Sequence, residues 1–236
     1  SIQLSEPGLG FDVTGDGHRD LLVNAAGSRL HFFRGFGGLD FERFLDQTDL
    51  GISDLPTEIA AIEANDIDRD GAADLLMLTS NEYDPRCIVY VNDGQGLFTE
   101  SSDFQLPGIG GPGDIECLDM NRDDATDIVI RANGGPFFSD LAAGVLIAFN
   151  DGVSTAWTPA LLLAGDTDRI DLIEVGDLTG DGAPDIVGTT LSLKGTDKLL
   201  INDGAGSFTQ AVFPAPDAVS MVPLITDSNS DGDEGD

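Results

Sequence analysis

Five short stretches of the sequence carry aspartates at a constant spacing that suits metal chemistry. Counted from its first aspartate, each stretch has an oxygen-bearing side chain at positions 1, 3 and 5, and the first four also have an aspartate at position 9. The complete stretches are residues 12–20, 66–74, 119–127 and 177–185, which we call loops 1 to 4, and the fifth stretch is residues 227–236. Together they hold 18 of the 34 aspartates in the chain. The acidic residues are therefore patterned and not spread.

This pattern is typical of a site for a hard cation. Short carboxylate, amide and hydroxyl side chains at alternating positions converge from a tightly turned backbone, and glycine at position 6 supplies a left-handed bend in loops 1, 2 and 4. In loop 3 the glycine is replaced by Asp124, which tolerates that bend better than most residues. Calcium accepts six to eight oxygen ligands, whereas magnesium usually keeps several waters. The sequence therefore predicts about four calcium sites, or five if the last stretch also binds.

The predicted ligands are the side chains at positions 1, 3, 5 and 9 and the backbone carbonyl at position 7. Loop 2 is the strongest because it offers four carboxylates, while loops 1 and 4 place a weaker threonine ligand at position 3. The fifth stretch has Gly235 at position 9, which leaves its closing ligand open. The full set is Asp12, Thr14, Asp16, His18 and Asp20; Asp66, Asp68, Asp70, Ala72 and Asp74; Asp119, Asn121, Asp123, Ala125 and Asp127; Asp177, Thr179, Asp181, Ala183 and Asp185; and Asp227, Asn229 and Asp231.

Acidic loops also occur in simple turns and in helix-loop-helix calcium sites. Aspartate and glycine also form ordinary turns between strands, but several copies in one phase favour a metal site over simple turns. A helix-loop-helix calcium site needs a glutamate at position 12, and that position is Val23, Met77, Ile130 or Gly188. The loops are therefore not of the helix-loop-helix kind.

The segments around the loops predict β-strands. Each complete loop runs into an apolar segment such as 75–78 or 128–130, which is typical of a strand covered on both faces. About half a period later comes an Asn-Asp-Gly hairpin signal, clearest at 92–94 and 202–204. Each unit of about 54 residues then reads as a four-stranded antiparallel blade. We predict an all-β fold, a β-propeller-type array with four such units and the start of a fifth.

These residues resemble a known repeat. An acidic loop that leads into an apolar strand and then into an Asn-Asp-Gly hairpin, as in residues 66–98, is similar to the FG-GAP/VCBS repeat of integrin alpha-like propellers and many secreted microbial proteins. The resemblance covers nearly the whole chain. It implies calcium in the loop of each blade. On this basis the chain is one repeat domain over residues 1–236, with blades at about 1–55, 56–108, 109–165 and 166–216 and a partial fifth unit at 217–236.

Composition excludes several classes of protein. The chain has 236 residues and a formal net charge of −32, which would repel phosphate backbones and anionic lipid headgroups. We expect neither nucleic-acid binding nor membrane insertion. Two cysteines, Cys87 and Cys117, are too few for a disulfide framework, and the sequence leaves open whether they pair. Two histidines and the absence of any recognisable catalytic constellation predict that the protein is not an enzyme.

The functional hypothesis is a calcium-binding β-propeller module that acts outside the cytoplasm in adhesion or in binding a protein or glycan. We expect it to be secreted or displayed at the cell surface, with the periplasm as an alternative, because such loops commonly need millimolar calcium. One alternative is a subunit of an extracellular filament or surface assembly, completed through the partial fifth unit. Another is an accessory or catalytic propeller domain of a polysaccharide-active enzyme.

Overall fold

The computed structural model describes the chain in stretches that contain all four complete loops. The described residues are 9–25, 29–38, 40–46, 48–53, 55–56, 59–79, 81, 84–133, 143–152, 156–164, 170–189 and 197–211. The partial fifth unit at 217–236, with Asp227, Asn229 and Asp231, lies outside them. The chain divides into two compact units, Ser1–Leu106 (unit 1) and Pro107–Asp236 (unit 2). The prediction of one repeat domain stays a prediction.

Unit 1 contains two four-stranded antiparallel sheets, and in each the strands are neighbours in chain order. The first sheet consists of β1 (Leu9–Phe11), β2 (Asp20–Ala25), β3 (Arg29–Gly35) and β4 (Phe41–Asp46). The second consists of β5 (Ile59–Asn65), β6 (Asp74–Thr79), β7 (Arg86–Asn92) and β8 (Phe98–Gln105).

Unit 2 repeats this arrangement. Its first sheet consists of β9 (Pro112–Leu118), β10 (Asp127–Asn133), β11 (Ala143–Asn150) and β12 (Trp157–Ala164). Its second consists of β13 (Leu172–Gly176), β14 (Asp185–Thr189), β15 (Lys198–Asn202) and β16 (Phe208–Ala211). The predicted all-β array of four-stranded antiparallel blades is confirmed.

The apolar runs after the loops form the second strand of each sheet. In β6, β10 and β14 almost every residue is buried, as expected of strands covered on both faces. The first sheet differs, since Leu22 is buried while Leu21 and Val23 are half-buried. Each unit has its own apolar cluster, with Leu75, Met77 and Phe98 in unit 1 and Val129, Ile147 and Ile186 in unit 2.

The Asn-Asp-Gly segments form the predicted hairpins between the third and fourth strands. The Asp93 amide donates to the Leu97 carbonyl, and the Asp203 amide donates to the Ser207 carbonyl, each at 3.0 Å. The second glycine of each hairpin, Gly96 or Gly206, has a positive φ of 92° or 78°, which glycine adopts without strain. A Cβ on Gly206 would lie 2.8 Å from the ring of Phe149.

The structure also bears on the predictions about membrane insertion and about the two cysteines. The described residues form no helix, so none is present there that could span a membrane. Cys87 is buried in β7 and Cys117 is half-buried in β9, and neither forms a disulfide bond.

Candidate metal centre

Each acidic loop connects the first strand of a sheet to the second. The residue just before the loop pairs across the sheet with the position 9 aspartate, for example Asn65 with Asp74 and Leu118 with Asp127. The ends of the loop are therefore fixed by the sheet ladder. Its eight intervening residues must turn back within one strand spacing, which requires backbone conformations that few residues adopt.

The required conformations occur at positions 4 and 6, which are left-handed in all four loops. The φ values range from 60° to 91° over the two positions. The left-handed bend at position 6, including Asp124 with φ 65°, was predicted from the sequence, whereas the bend at position 4 was not. Glycines at two of the four loops carried the signal for position 4, whereas the other two loops place arginine there. The position 4 residues are Gly15, Arg69, Arg122 and Gly180.

The position 1 carboxylate is turned into its own loop by backbone hydrogen bonds. In every loop its Oδ2 atom accepts a hydrogen bond from the amide of position 6. The distance from the amide nitrogen to Oδ2 is 2.7 Å for Gly17 and Asp12 and 2.8 Å for Asp124 and Asp119. The same bond joins Asp66 to Gly71 and Asp177 to Gly182. A further bond in each loop runs from the position 7 amide to Oδ1 of position 5, at 2.8 to 3.0 Å. These bonds gather the carboxylates without using all of their acceptor sites.

The position 9 aspartate is a buried link between three parts of each sheet. Asp74 Oδ2 accepts from the Ile67 amide at position 2, and Asp74 Oδ1 accepts from the Asn92 amide at the end of the third strand, both at 2.8 Å. The same pair of bonds recurs at Asp20, Asp127 and Asp185, all of which are at most 1% exposed. Sequence reasoning predicted a metal ligand here and missed this structural role. An ionised carboxylate has about four acceptor sites, so the two roles are compatible.

Burial shifts the pKa of these carboxylates upward. Desolvation raises the pKa of Asp74 and of Asp127 to about 6, although the backbone amides that they accept oppose the shift. Burial also raises the pKa of Asp185 and of Asp68, and the neighbouring Asp70 charge adds to the effect at Asp68. The loops thus hold carboxylates whose charged forms are disfavoured unless a cation is nearby.

Loop 2 brings together the group of carboxylates best suited to a divalent cation. One oxygen from each of Asp66, Asp68 and Asp74 lies within 4.8 Å of the other two. Asp66 Oδ1 is buried with no hydrogen-bond partner. Buried carboxylate oxygens are ordinarily satisfied, and a cation in this loop would satisfy this one. The donor set of oxygen atoms alone is the one that calcium prefers, so the residues present fit the ion.

Loop 1 also has an oxygen at a predicted ligand position that lacks a protein partner. Thr14 Oγ1 at position 3 is buried and neither donates nor accepts a hydrogen bond. An arginine from β3 also reaches this loop, since Arg34 donates to Asp16 Oδ2 from Nη2 at 2.8 Å and from Nε at 3.1 Å. The Arg34 guanidinium, with help from the His18 amide, lowers the pKa of Asp16. Arg34 therefore places a positive charge beside loop 1.

An arginine also reaches loop 4, but from the neighbouring loop of unit 2. Arg122 donates to the Asp181 carbonyl and to Asp181 Oδ1, the atom that also accepts from the Ala183 amide. In loop 3, Asn121 donates from Nδ2 to Asp123 Oδ2 at 3.1 Å. The four loops thus share a backbone geometry and differ in charge.

Fold and loops together define a class of protein, an array of antiparallel four-stranded blades with an acidic loop between the first two strands of each. The model of the FG-GAP-like repeat matches residues 12–77 and 66–130, and these matches span half of the chain. The chain belongs to the FG-GAP-like repeat family. Each match begins at position 1 of a loop, at Asp12 or Asp66, and ends in the second strand of the next sheet.

The other comparisons add little. A crystal structure of BBS1N in complex with ARL6DN, soaked with lead, is similar to the chain at 13% sequence identity and a TM-score of 0.32. The alignment covers 89% of this chain and 81% of that one. A comparison with curated proteins found no match.

Proposed function

We propose that the chain is a calcium-binding module of β-propeller type that acts outside the cytoplasm in adhesion or in binding a protein or glycan. The observation that carries the proposal is loop 2, where three carboxylates converge and the buried Asp66 Oδ1 has no hydrogen-bond partner. The repeated geometry of the other three loops supports the same role for them. FG-GAP repeats commonly bind calcium, and the family assignment supports the proposal.

The residues of each loop would act together to hold the ion. Side chains at positions 1, 3, 5 and 9 and the carbonyl at position 7 would be the ligands, while the amides at positions 2, 6 and 7 orient the carboxylates. When bound, calcium supplies positive charge that neutralises the clustered carboxylates. The position 9 aspartate then transmits the order of the loop to the sheet, because it is bonded to both position 2 and the third strand.

The proposed location is extracellular. FG-GAP repeats are typical of extracellular proteins, and loops of this kind commonly need the millimolar calcium found outside cells. A binding role fits better than catalysis. His18 lies exposed in loop 1 and His31 lies in β3 opposite Val23 and Asp46, so the two histidines have separate surroundings.

Direct measurement of bound calcium tests the proposal. Metal-free protein is titrated with calcium and followed by calorimetry, beside Asp68→Ala and an Asp103→Ala control. Asp68 belongs to the loop 2 group. Asp103 lies on β8, outside the loops, and is paired with Arg86 on β7. We expect saturable binding that falls by one site, or weakens at least about tenfold at one site, only in Asp68→Ala. Absence of saturable calcium binding to the wild-type protein would refute the proposal.

A further inference from the structure

Unit 2 shows how an arginine side chain is held against an acidic loop of this family. Arg122, at position 4 of loop 3, donates from Nη2 to the carbonyl and Oδ1 of Asp181 and from Nε to the carbonyl of Gly182 at 3.2 Å. The guanidinium also lies over Gly204, where an added Cβ would be 2.9 Å from Arg122 Cζ. The planar guanidinium thus reaches two carbonyls and one carboxylate at once, which a single ammonium group does not match.

The same acceptors recur in unit 1, between loops 1 and 2. By position in the repeat, Asp70 and Gly71 correspond to Asp181 and Gly182. Position 4 of loop 1, however, is Gly15, which has no side chain with which to reach them. Among the described residues, none donates a hydrogen bond to the carbonyl oxygen of Asp70 or Gly71.

A cleft of about 240 Å³ lies at this point of unit 1. Of the described residues that line it, three are aspartates, three are glycines and none is cationic. The residues that matter are Asp12 and Gly15 on one side and Asp70, Gly71, Asp93 and Gly94 on the other. Gly94 and Asp93 correspond to Gly204 and Asp203 in the hairpin of unit 2. The cleft therefore presents the same acceptors that Arg122 contacts in unit 2, with Gly94 at the position of Gly204.

We propose that this cleft binds the guanidinium group of an arginine side chain presented by a partner protein. The inference goes beyond the proposed function, because it names the chemistry of a partner and its acceptors are present without calcium in the loops. Asp93 lies outside the metal loops, so its negative charge complements the cation even when calcium neutralises Asp12 and Asp70. The guanidinium geometry is the one that the chain itself uses at Arg122.

The probes are two short peptides, acetyl-Gly-Arg-Gly-amide and acetyl-Gly-Lys-Gly-amide, with guanidinium chloride at low concentration as a third. Each is titrated into the full chain in calcium-containing buffer while the backbone amide signals of Gly71 and Gly94 are followed by NMR. We expect saturable shifts with the arginine peptide and binding at least about fivefold weaker with lysine. We expect guanidinium chloride to shift the same amide signals, because it carries the same group. Equal binding of the lysine peptide, or the absence of saturable shifts with the arginine peptide, would overturn the proposal.

Matched variants locate the site. Asp93→Asn keeps an oxygen that can accept from the Gln95 and Leu97 amides but removes the charge, so arginine peptide binding should weaken about fivefold. Asp203→Asn, the equivalent change in unit 2, should leave peptide binding unchanged, and an equal loss in both variants would contradict the assignment. Calcium binding is measured on the same samples by calorimetry, so failure of the calcium proposal and failure of this one are read separately.

Removing the internal arginine provides the reciprocal test. Arg122 has a φ of 60°, which glycine adopts without strain, so Arg122→Gly should fold. The variant would open the equivalent cleft of unit 2, and the number of arginine peptide sites should rise from one to two, with new shifts at Gly182 and Gly204. If Arg122→Gly gains no site while remaining folded, the equivalence on which the proposal rests is wrong.

Discussion

The side-chain amide of Asn92 donates to the backbone carbonyl of Val13, 3.1 Å away, and so ties the second sheet of unit 1 to loop 1 of the first. The same Nδ2 group also donates to the Ala73 carbonyl at 3.1 Å. Unit 2 repeats the arrangement, with Asn202 donating to Met120 at 2.7 Å and to Pro184 at 2.9 Å. The asparagine of the Asn-Asp-Gly hairpin thus connects neighbouring blades, in addition to shaping its own turn.

Replacing this asparagine should destabilise the protein. Asn92 is 2% exposed, and Asn92→Ala would leave the Val13 and Ala73 carbonyls without this donor. We expect a loss of about 2–3 kcal/mol in the free energy of unfolding, measured by urea denaturation. Gln95→Ala, on an exposed side chain of the same hairpin, is the control and should change stability by less than about 0.5 kcal/mol. Equal effects of the two substitutions would show that the link between blades contributes nothing.

The first sheet should be unusually sensitive at the equivalent position, which is Gly35. The Gly35 amide donates to Asp20 Oδ1 at 2.9 Å, and a Cβ on Gly35 would overlap the Arg19 carbonyl oxygen. We expect Gly35→Ala to cost about 2–3 kcal/mol or to prevent folding, because backbone must move to relieve the clash. Gly10→Ala is the control, since its Cβ would meet nothing closer than 3.9 Å. Thermal unfolding of both variants decides the matter, and similar midpoints would contradict the packing argument.

Calcium binding should release protons in mildly acidic buffer. Burial raises the pKa of Asp74 and Asp127 from 3.8 to about 6 in the metal-free fold. Between pH 4 and about 6 the folded state thus holds more protons than the unfolded chain, so these two groups make the metal-free protein less stable as pH rises through that window. Since the ion binds the ionised carboxylates, calcium must displace the protons.

Calorimetry in two buffers of different ionisation enthalpy measures this release. At pH 5.5 the apparent binding enthalpy should depend on the buffer, and at pH 7.5 the dependence should vanish because the carboxylates are already ionised. Asp74→Asn should reduce the release at pH 5.5. Binding enthalpies that do not depend on the buffer at pH 5.5 would mean that burial does not hold protons on these carboxylates.

Loop 1 should bind calcium more tightly when the neighbouring positive charge of Arg34 is removed. Arg34 occupies Asp16 Oδ2, an oxygen of a predicted ligand. We expect Arg34→Gln to raise the calcium affinity of loop 1 by up to about fivefold, the value of an exposed ion pair. The Gly17 amide signal in NMR reports on this loop. Arg86→Gln, which removes the pair with Asp103 on β8, should leave the loop 1 affinity unchanged. A weaker loop 1 in Arg34→Gln would instead mean that Arg34 helps to organise the site.

Much of this organisation could be predicted from the sequence because the repeat makes local signals reinforce one another. The apolar run at 75–78 and the hairpin at 92–94 were sufficient to place β6, β7 and β8. Short-range signals did not predict the left-handed conformation of Arg122, because an arginine in that conformation is unusual and only Gly15 and Gly180 hinted at it.

The contacts of the site that could not be predicted from the sequence are the long-range ones. The bond from Asn92 to Val13 joins residues in different blades, and no local pattern distinguishes it from an ordinary turn asparagine. The same holds for Asp74, whose burial and bonds to two strands depend on the assembled sheet. The pairing of Arg34 with Asp16 also depends on β3 lying beside the loop. Of these contacts, the Arg34 pair adds a positive charge beside loop 1.

Thermal unfolding with and without calcium shows whether the ion stabilises the blades when it occupies the acidic loops. With free calcium at about 100 times the dissociation constant, each occupied loop would add about 2.7 kcal/mol to the free energy of unfolding. Several occupied loops should then raise the midpoint by about 10 °C or more relative to protein in chelator. Magnesium at the same concentration should give a much smaller rise. A midpoint that is the same in calcium and in chelator would contradict a stabilising role for calcium.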